Sequence, residues 1–315
     1  MKRNFTVKKE LKRGRNAIII GNLDQMSLSD TLECGQAFRY ELIYKDSDYV
    51  EYITVAYGRL ITVGQEVSGE LIFYGEDESK IDELVKYFAL DLDYEKIRQH
   101  IVSKTTSEWM KNAAECSKGI HILRQEPWEA LFSFIISQNN NIPRIRKIIR
   151  KIATEYGENL AQKSGVQNCP KGLCNGIDEN VCRGCGICYS FPTANQVVEN
   201  PEKLLSSNPG FRYKYLVDAA NRVSSGDTDL EEIQGSESFD EIICELKKIL
   251  GVGDKVASCV ALFGMSRLEA FPIDVWMKRA IDNYFDGNLD YKAFGEYAGV
   301  AQQYIFHYIR NLEEK

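Results

Sequence analysis

No apolar run in the chain is long enough to cross a membrane, which excludes a spanning helix from its organisation. The early stretch Ala17-Ile18-Ile19-Ile20 follows several basic residues, but Gly21-Asn22 ends it far short of a signal-peptide core. A cytoplasmic protein is expected. Excess positive charge is also missing: the net charge is −7, which on its face argues against a nucleic-acid partner. Total charge describes solubility, however, and binding depends on where the cations lie. They are bunched in three places: the N-terminus (Lys2, Arg3, Lys8, Lys9, Lys12, Arg13, Arg15), the run from Arg144 to Lys151, and Arg212-Tyr213-Lys214. A disulfide framework is not indicated either. The nine cysteines are odd in number and five crowd between Cys169 and Cys188, a pattern that suits metal binding in a reducing compartment.

What is present reads as a soluble globular chain. Its 315 residues are 44% hydrophobic and 27% charged, enough for two domains or one elaborate one. From Ile18 to about Tyr74 the pattern favours strands. Tyr49 to Val55 and Leu60 to Val63 are rich in β-branched and aromatic residues, Tyr57-Gly58-Arg59 is a turn between them, and Leu71 to Tyr74 is a further short strand. From Ser79 the period becomes helical, with Ile81, Leu84, Val85 and Phe88 on one face. Trp128 to Gln138 is apolar all round, as a buried helix would be. The spacing thus predicts an α+β protein: a twisted antiparallel sheet domain over 1–118, then a helical domain over 119–315 with a Cys-rich insert at 163–190.

The stretch with most chemistry lies between Leu246 and Lys278. Leu246, Ile249 and Leu250 form an apolar helical face that Gly251-Val252-Gly253 breaks, and a second helix from Asp254 carries Val256, Val260 and Phe263 inward. Glycines around one apolar residue allow a hairpin tighter than side chains permit. The new helix opens with unpaired N–H groups and the positive end of its dipole, so the turn can grip a phosphate. Lys255 lies in its first turn, and Asp274, after Pro272, is an N-cap for a third helix through Val275, Met277, Ala280 and Ile281. A lysine amine held there can act as a nucleophile on a sugar carbon while a carboxylate steadies the developing positive charge. Taken alone, the same residues also describe an ordinary turn, a solvated lysine and a cap.

This segment resembles the helix-hairpin-helix of base-excision DNA glycosylases, specifically the bifunctional 8-oxoguanine DNA glycosylase/lyase family. The resemblance recurs in order along nearly the whole chain. It implies that Lys255 is the nucleophile and Asp274 its assistant. Cys34-Gly35-Gln36-Ala37-Phe38 is similar to the family segment whose glycine carbonyl accepts a hydrogen bond from N7–H of 8-oxoguanine. Guanine presents a lone pair there, a mismatch worth about 1–3 kcal/mol. Cys259, Gln302 and Phe306 match residues lining the base pocket, the last two four apart on one helix face. Asn139-Asn140-Asn141-Ile142-Pro143-Arg144 matches the loop whose amide (Asn139) and guanidinium (Arg144) replace the flipped base and meet the opposite cytosine. Phe211 matches the aromatic wedge at the kinked step and Arg212 a second partner of the orphan cytosine. Trp276 departs from a histidine that contacts phosphate in the family. The implied partner is double-stranded DNA containing oxidised guanine, met by a monomer. No dissociable cofactor is needed for the chemistry, and the family hairpin holds a cation on carbonyls matching Lys247, Ile249 and Val252.

Between 163 and 189 the chain has almost no core residues, so a metal is its natural staple. Cys182, Cys185 and Cys188 with Cys169 suit either tetrahedral zinc or a four-iron cluster, with Cys174 as the spare; a loop of free thiols is the remaining alternative. Two rival functions stay open. One is a glycosylase of the endonuclease III type, whose cluster follows the catalytic aspartate rather than preceding the hairpin. The other is a metal- or redox-responsive DNA-binding protein that uses the hairpin for phosphate alone.

Overall fold

Two tight turns build the N-terminal layer. Arg13 and Gly14, then Tyr57 and Gly58, all take positive φ (51°, 75°, 50° and 66°), the paired left-handed geometry that matches the twist of flanking strands. The first joins β1 (Thr6–Lys12) to β2 (Arg15–Gly21), and the second joins β4 (Tyr49–Ala56) to β5 (Arg59–Glu66) with Ala56 opposite Arg59. With β3 (Tyr40–Lys45) and β6 (Leu71–Tyr74) they form one antiparallel sheet in the order β1-β2-β6-β5-β4-β3. The structure, a computed structural model, describes residues 5–23, 25–160 and 186–313. Cys169, Cys182 and Cys185, assigned above to a metal, and the spare Cys174 lie outside the described residues.

Both faces of this sheet are covered. On one, Tyr52, Ile61, Val63 and Phe73 pack on α1 (Leu28–Glu33) and α2 (Ile81–Tyr87) through Leu28, Leu32, Leu84 and Phe88. On the other, Ile53, Val55 and Leu60 meet Leu160, Ile187 and Cys188, residues that flank 161–185. Cover on two sides explains why β4 is buried almost throughout instead of alternating.

The helical part follows as α3 (Tyr94–Ser103), α4 (Glu108–Cys116), α5 (Pro127–Ser137), α6 (Ile142–Tyr156), α7 (Ala194–Glu199), α8 (Tyr213–Ser225), α9 (Leu230–Gly235), α10 (Phe239–Leu246), α11 (Asp254–Gly264), α12 (Val275–Tyr284) and α13 (Ala298–Glu313). At its centre α5 is buried over Ala130 to Ile136 and lies against α11, with Phe134 stacked on Phe263 at 5.3 Å between centroids. Close approach is permitted by Gly264, where a Cβ would come within 2.9 Å of the Ala130 methyl. Leu250, expected on the inward face of the hairpin's first helix, is instead half exposed, because that helix ends at Leu246 and the turn has already begun. Val275 likewise faces outward on α12, where Met277 and Ala280 make the buried contacts. Among the described residues no helix is long and apolar enough to cross a membrane.

Two buried polar side chains tie sheet and helices together. Gln36 donates to the carbonyls of Thr31 (2.8 Å) and His121 (2.7 Å) and accepts from the Leu123 N–H (2.8 Å). Arg39 donates to Glu129 on α5 at 2.9 Å and to the Tyr189 carbonyl. Buried polar anchors of this kind fix one arrangement, since a misplaced one would leave more polar atoms unpaired than the Arg39 Nε, which has no partner among the described residues. Phe38 sits between these anchors and Gly35 immediately before the first of them.

Candidate active site

The turn at 251–253 is shaped by contact as much as by sequence. Gly251 has φ +80° and lies against the ring of Tyr215 on α8, while the Val252 N–H donates to the Ile249 carbonyl at 3.0 Å. Asp218, also on α8, accepts the Leu250 N–H at 2.8 Å. Gly253 is the N-cap of α11 and has no side chain to satisfy the helix's first N–H groups, so that positive end is left open to an anionic ligand.

Lys255 projects from the first turn of α11 into a cleft of about 270 Å³. Its Nζ is 3.1 Å from Ser137 Oγ and 5.3 Å from the centroid of the Phe134 ring. Asp274 lines the same cleft while its carboxylate accepts the Met277 N–H at 2.9 Å, so the cap that starts α12 also fixes an acid at the site. Burial pushes the Cys259 thiol up; the Lys255 charge pulls it back and Asp274 adds to the rise, which places all three within electrostatic reach.

The opposite wall comes from the sheet side and from α13. Gly35 takes φ +84°, and a Cβ there would stand 3.2 Å from Ile142 Cδ1 and 3.4 Å from Phe306 Cε1. The cleft is therefore a slot whose width Gly35 sets. Arg310 caps the Phe306 ring, 5.6 Å from its centroid. Gln302, one turn earlier on α13, is buried and accepts from Gln303 at 3.1 Å; it is not among the residues lining the cleft. Of the predicted pocket residues, the structure thus brings Gly35 and Phe306 together with Lys255 and Asp274, sets Cys259 beneath them, and keeps Gln302 inside.

At the rim, Asn139 is exposed with φ 51°, and Asn141 caps α6 by accepting the Arg144 N–H at 3.0 Å, leaving the Arg144 side chain exposed. Phe211 is 51% exposed, the state expected of a wedge. Arg212 is placed differently from the orphan-cytosine role expected of it. It is 3% exposed, and its guanidinium donates to the carbonyls of Gln138 (Nε, 2.8 Å, and Nη2), Asn139 (Nη2, 3.0 Å) and Pro209 (Nη1, 3.1 Å). Its burial, then the nearby charge of Arg144, lowers its pKa. Here Arg212 shapes the loop that presents Asn139.

Residues 18–131 match the family described as 8-oxoguanine DNA glycosylase, N-terminal domain. Along nearly the full length, the fold superposes on a Clostridium acetobutylicum 8-oxoguanine glycosylase/lyase, solved in complex with dsDNA containing cytosine opposite to 8-oxoG. The TM-score is 0.80, identity is 31%, and 98% of each chain is covered. The chain belongs to the 8-oxoguanine glycosylase/lyase family. An N-glycosylase/DNA lyase of Saccharomyces cerevisiae is 26% identical over 288 residues, 85% of this chain and 70% of that protein. A 3-methyladenine DNA-glycosylase from Archaeoglobus fulgidus shares the fold at TM-score 0.61 and 19% identity, over 85% of this chain and 89% of that one.

For an 8-oxoguanine glycosylase/lyase family member, sequence reasoning left out Ser137, Phe134, Ile142 and Arg310. Phe134 read as a core position of a buried helix and Ile142 as part of the asparagine loop, and only their approach to Lys255 and Gly35 gives them a second role. Ser137 could have been noticed as the one small hydroxyl ending an apolar helix beside Gln138-Asn139. Among the described residues no group of three or more His, Cys, Asp or Glu side chains could hold a metal. Cys188, assigned to the metal set, is buried in the apolar cluster on the sheet.

Proposed function

We propose that this chain excises 8-oxoguanine from double-stranded DNA and then cuts the strand, as its family relatives' names describe. The observation that carries the reading is the Lys255 amine in a slot bounded by Gly35 and Phe306, at the mouth of an uncapped helix and across from Asp274.

The hairpin's open N–H groups hold the backbone, and a flipped purine enters between Gly35 and Phe306. The neutral amine of Lys255 forms a bond to C1′ as the C1′–N9 bond breaks, and the base leaves with that electron pair and takes up a proton. Asp274 faces the positive charge that develops on the sugar. Opening of the C1′–O4′ bond gives an imine between Nζ and C1′. Loss of a C2′ proton to water then expels the phosphate from C3′, and hydrolysis of the imine restores the amine. Opposite the lesion, exposed Asn139 and Arg144 meet cytosine, and Phe211 fills the kinked step. Arg212 acts through the loop it holds.

A cation at the hairpin would rest on backbone carbonyls of Lys247, Ile249 and Val252, of which that of Ile249 already accepts the Val252 N–H. Borohydride reduction during reaction with an 8-oxoguanine:cytosine duplex tests the proposal. A covalent protein–DNA adduct is expected for the natural chain and none for Lys255→Gln. Damage-selective binding with no adduct from the natural chain would sink the enzyme reading and leave a binding module.

A further inference from the structure

The hydroxyl of Ser137 has its hydrogen committed. It donates to the carbonyl of Phe134, one turn back along α5, at 2.8 Å. Toward Lys255, 3.1 Å away, the same oxygen can therefore act solely as an acceptor. A lysine amine at the end of a four-carbon stem is ordinarily free to rotate about its Cε–Nζ bond. One N–H drawn to a fixed acceptor removes that freedom and confines the lone pair bared on deprotonation to the two remaining tetrahedral positions, both turned away from Ser137. The acceptor is itself firmly placed: Ser137 ends a helix buried from Ala130 to Ile136, and Phe134, which receives its hydrogen, also lies under the amine. Ser137 and Lys255 are 118 residues apart, so helix packing brings them together.

We infer that Ser137 is a positioning residue for the nucleophile, aiming the Lys255 amine at the sugar carbon; this rests on the function proposed above. Its hydroxyl is already engaged by the Phe134 carbonyl and the Lys255 amine, so it should matter equally when no base has to leave. Near-attack geometry governs how often a bound complex reacts, so the loss should fall on turnover and leave DNA binding alone.

The test measures single-turnover imine trapping on two duplexes, one with 8-oxoguanine opposite cytosine and one with a preformed abasic site. Ser137→Ala should slow trapping about tenfold on both, the order expected for one hydrogen bond at the reacting amine, with unchanged DNA affinity. Ser137→Thr should restore the rate, because a threonine hydroxyl in a helix also bonds the carbonyl one turn back. Melting curves show whether each variant is folded. Equal rates for Ser137→Ala and the natural chain would overturn the inference, as would loss confined to the 8-oxoguanine duplex or loss that threonine fails to restore. A natural chain that traps no adduct would instead overturn the underlying function.

Discussion

A Cβ on Gly251 would lie 2.5 Å from Cγ of the Tyr215 ring. The hairpin and α8 therefore touch through a place where a side chain cannot stand, and Phe211, proposed above to fill the kinked step, lies two residues before α8. Gly251→Ala meets both the ring and a backbone at φ +80°. A loss of about 1–3 kcal/mol is expected, seen as a lower melting temperature together with weaker binding to undamaged duplex. Normal affinity in a folded Gly251→Ala protein would count against the hairpin as the phosphate grip.

Gly35→Ala should separate the two halves of the reaction. The added methyl narrows the slot against Ile142 and Phe306 and strains a residue at φ +84°. Base excision is expected to fall steeply, while cutting at a preformed abasic site, which puts no purine in the slot, should persist. Parallel loss of both would mean that Gly35 supports the fold rather than the base.

Arg144 and Arg212 should behave oppositely although the sequence offers them for the same task. Arg144 is exposed, so Arg144→Ala should leave stability within about 0.5 kcal/mol and relax the preference for cytosine opposite the lesion. Arg212→Met would leave the carbonyls of Gln138, Asn139 and Pro209 without their donors, costing about 1–3 kcal/mol in denaturant unfolding. The decisive comparison is the unfolding midpoint of the two variants.

Acid should loosen the contact between α1 and α13. Burial pushes the Asp30 carboxyl up, but hydrogen bonds from His307 and Ser27 outweigh it and hold the group below its usual range. His307 Nε2 lies 3.6 Å from Asp30 Oδ1. A depressed carboxyl stabilises the fold above its unfolded pKa, near 3.9, and that stability disappears as pH falls through the lower folded value. The natural chain should thus melt above Asp30→Asn at pH 6, with the gap closing below about pH 4. A gap independent of pH would show that the pair contributes by shape.

The parts of this molecule legible in its sequence are those whose cause is local. Apolar spacing and the glycines at 251 and 253 give the hairpin, and β-branched runs around Tyr57-Gly58 give β4 and β5. The strand Thr6–Lys12 was hidden because its lysines read as part of a basic N-terminal cluster; pairing with β2 decides it, through partners such as Val7 and Ile20. The burial of Arg212 was hidden for a similar reason. Its acceptors at Gln138 and Asn139 are more than 70 residues earlier, and no spacing rule connects them. Ser137 became visible through the same kind of long-range meeting.

The strand-like closure beside the sheet has a consequence for how such chains can diverge. The Leu160 N–H donates to the Cys188 carbonyl at 2.7 Å and the Ser190 N–H to the Glu158 carbonyl at 2.9 Å, with Asn159 bridged to Tyr189. The polypeptide thus departs and returns at one stitched doorway. With the two ends of a loop pinned in this way, doubling its length adds only about 0.6 kcal/mol of closure entropy. A change of chain length at this doorway should therefore leave the catalytic half unaltered.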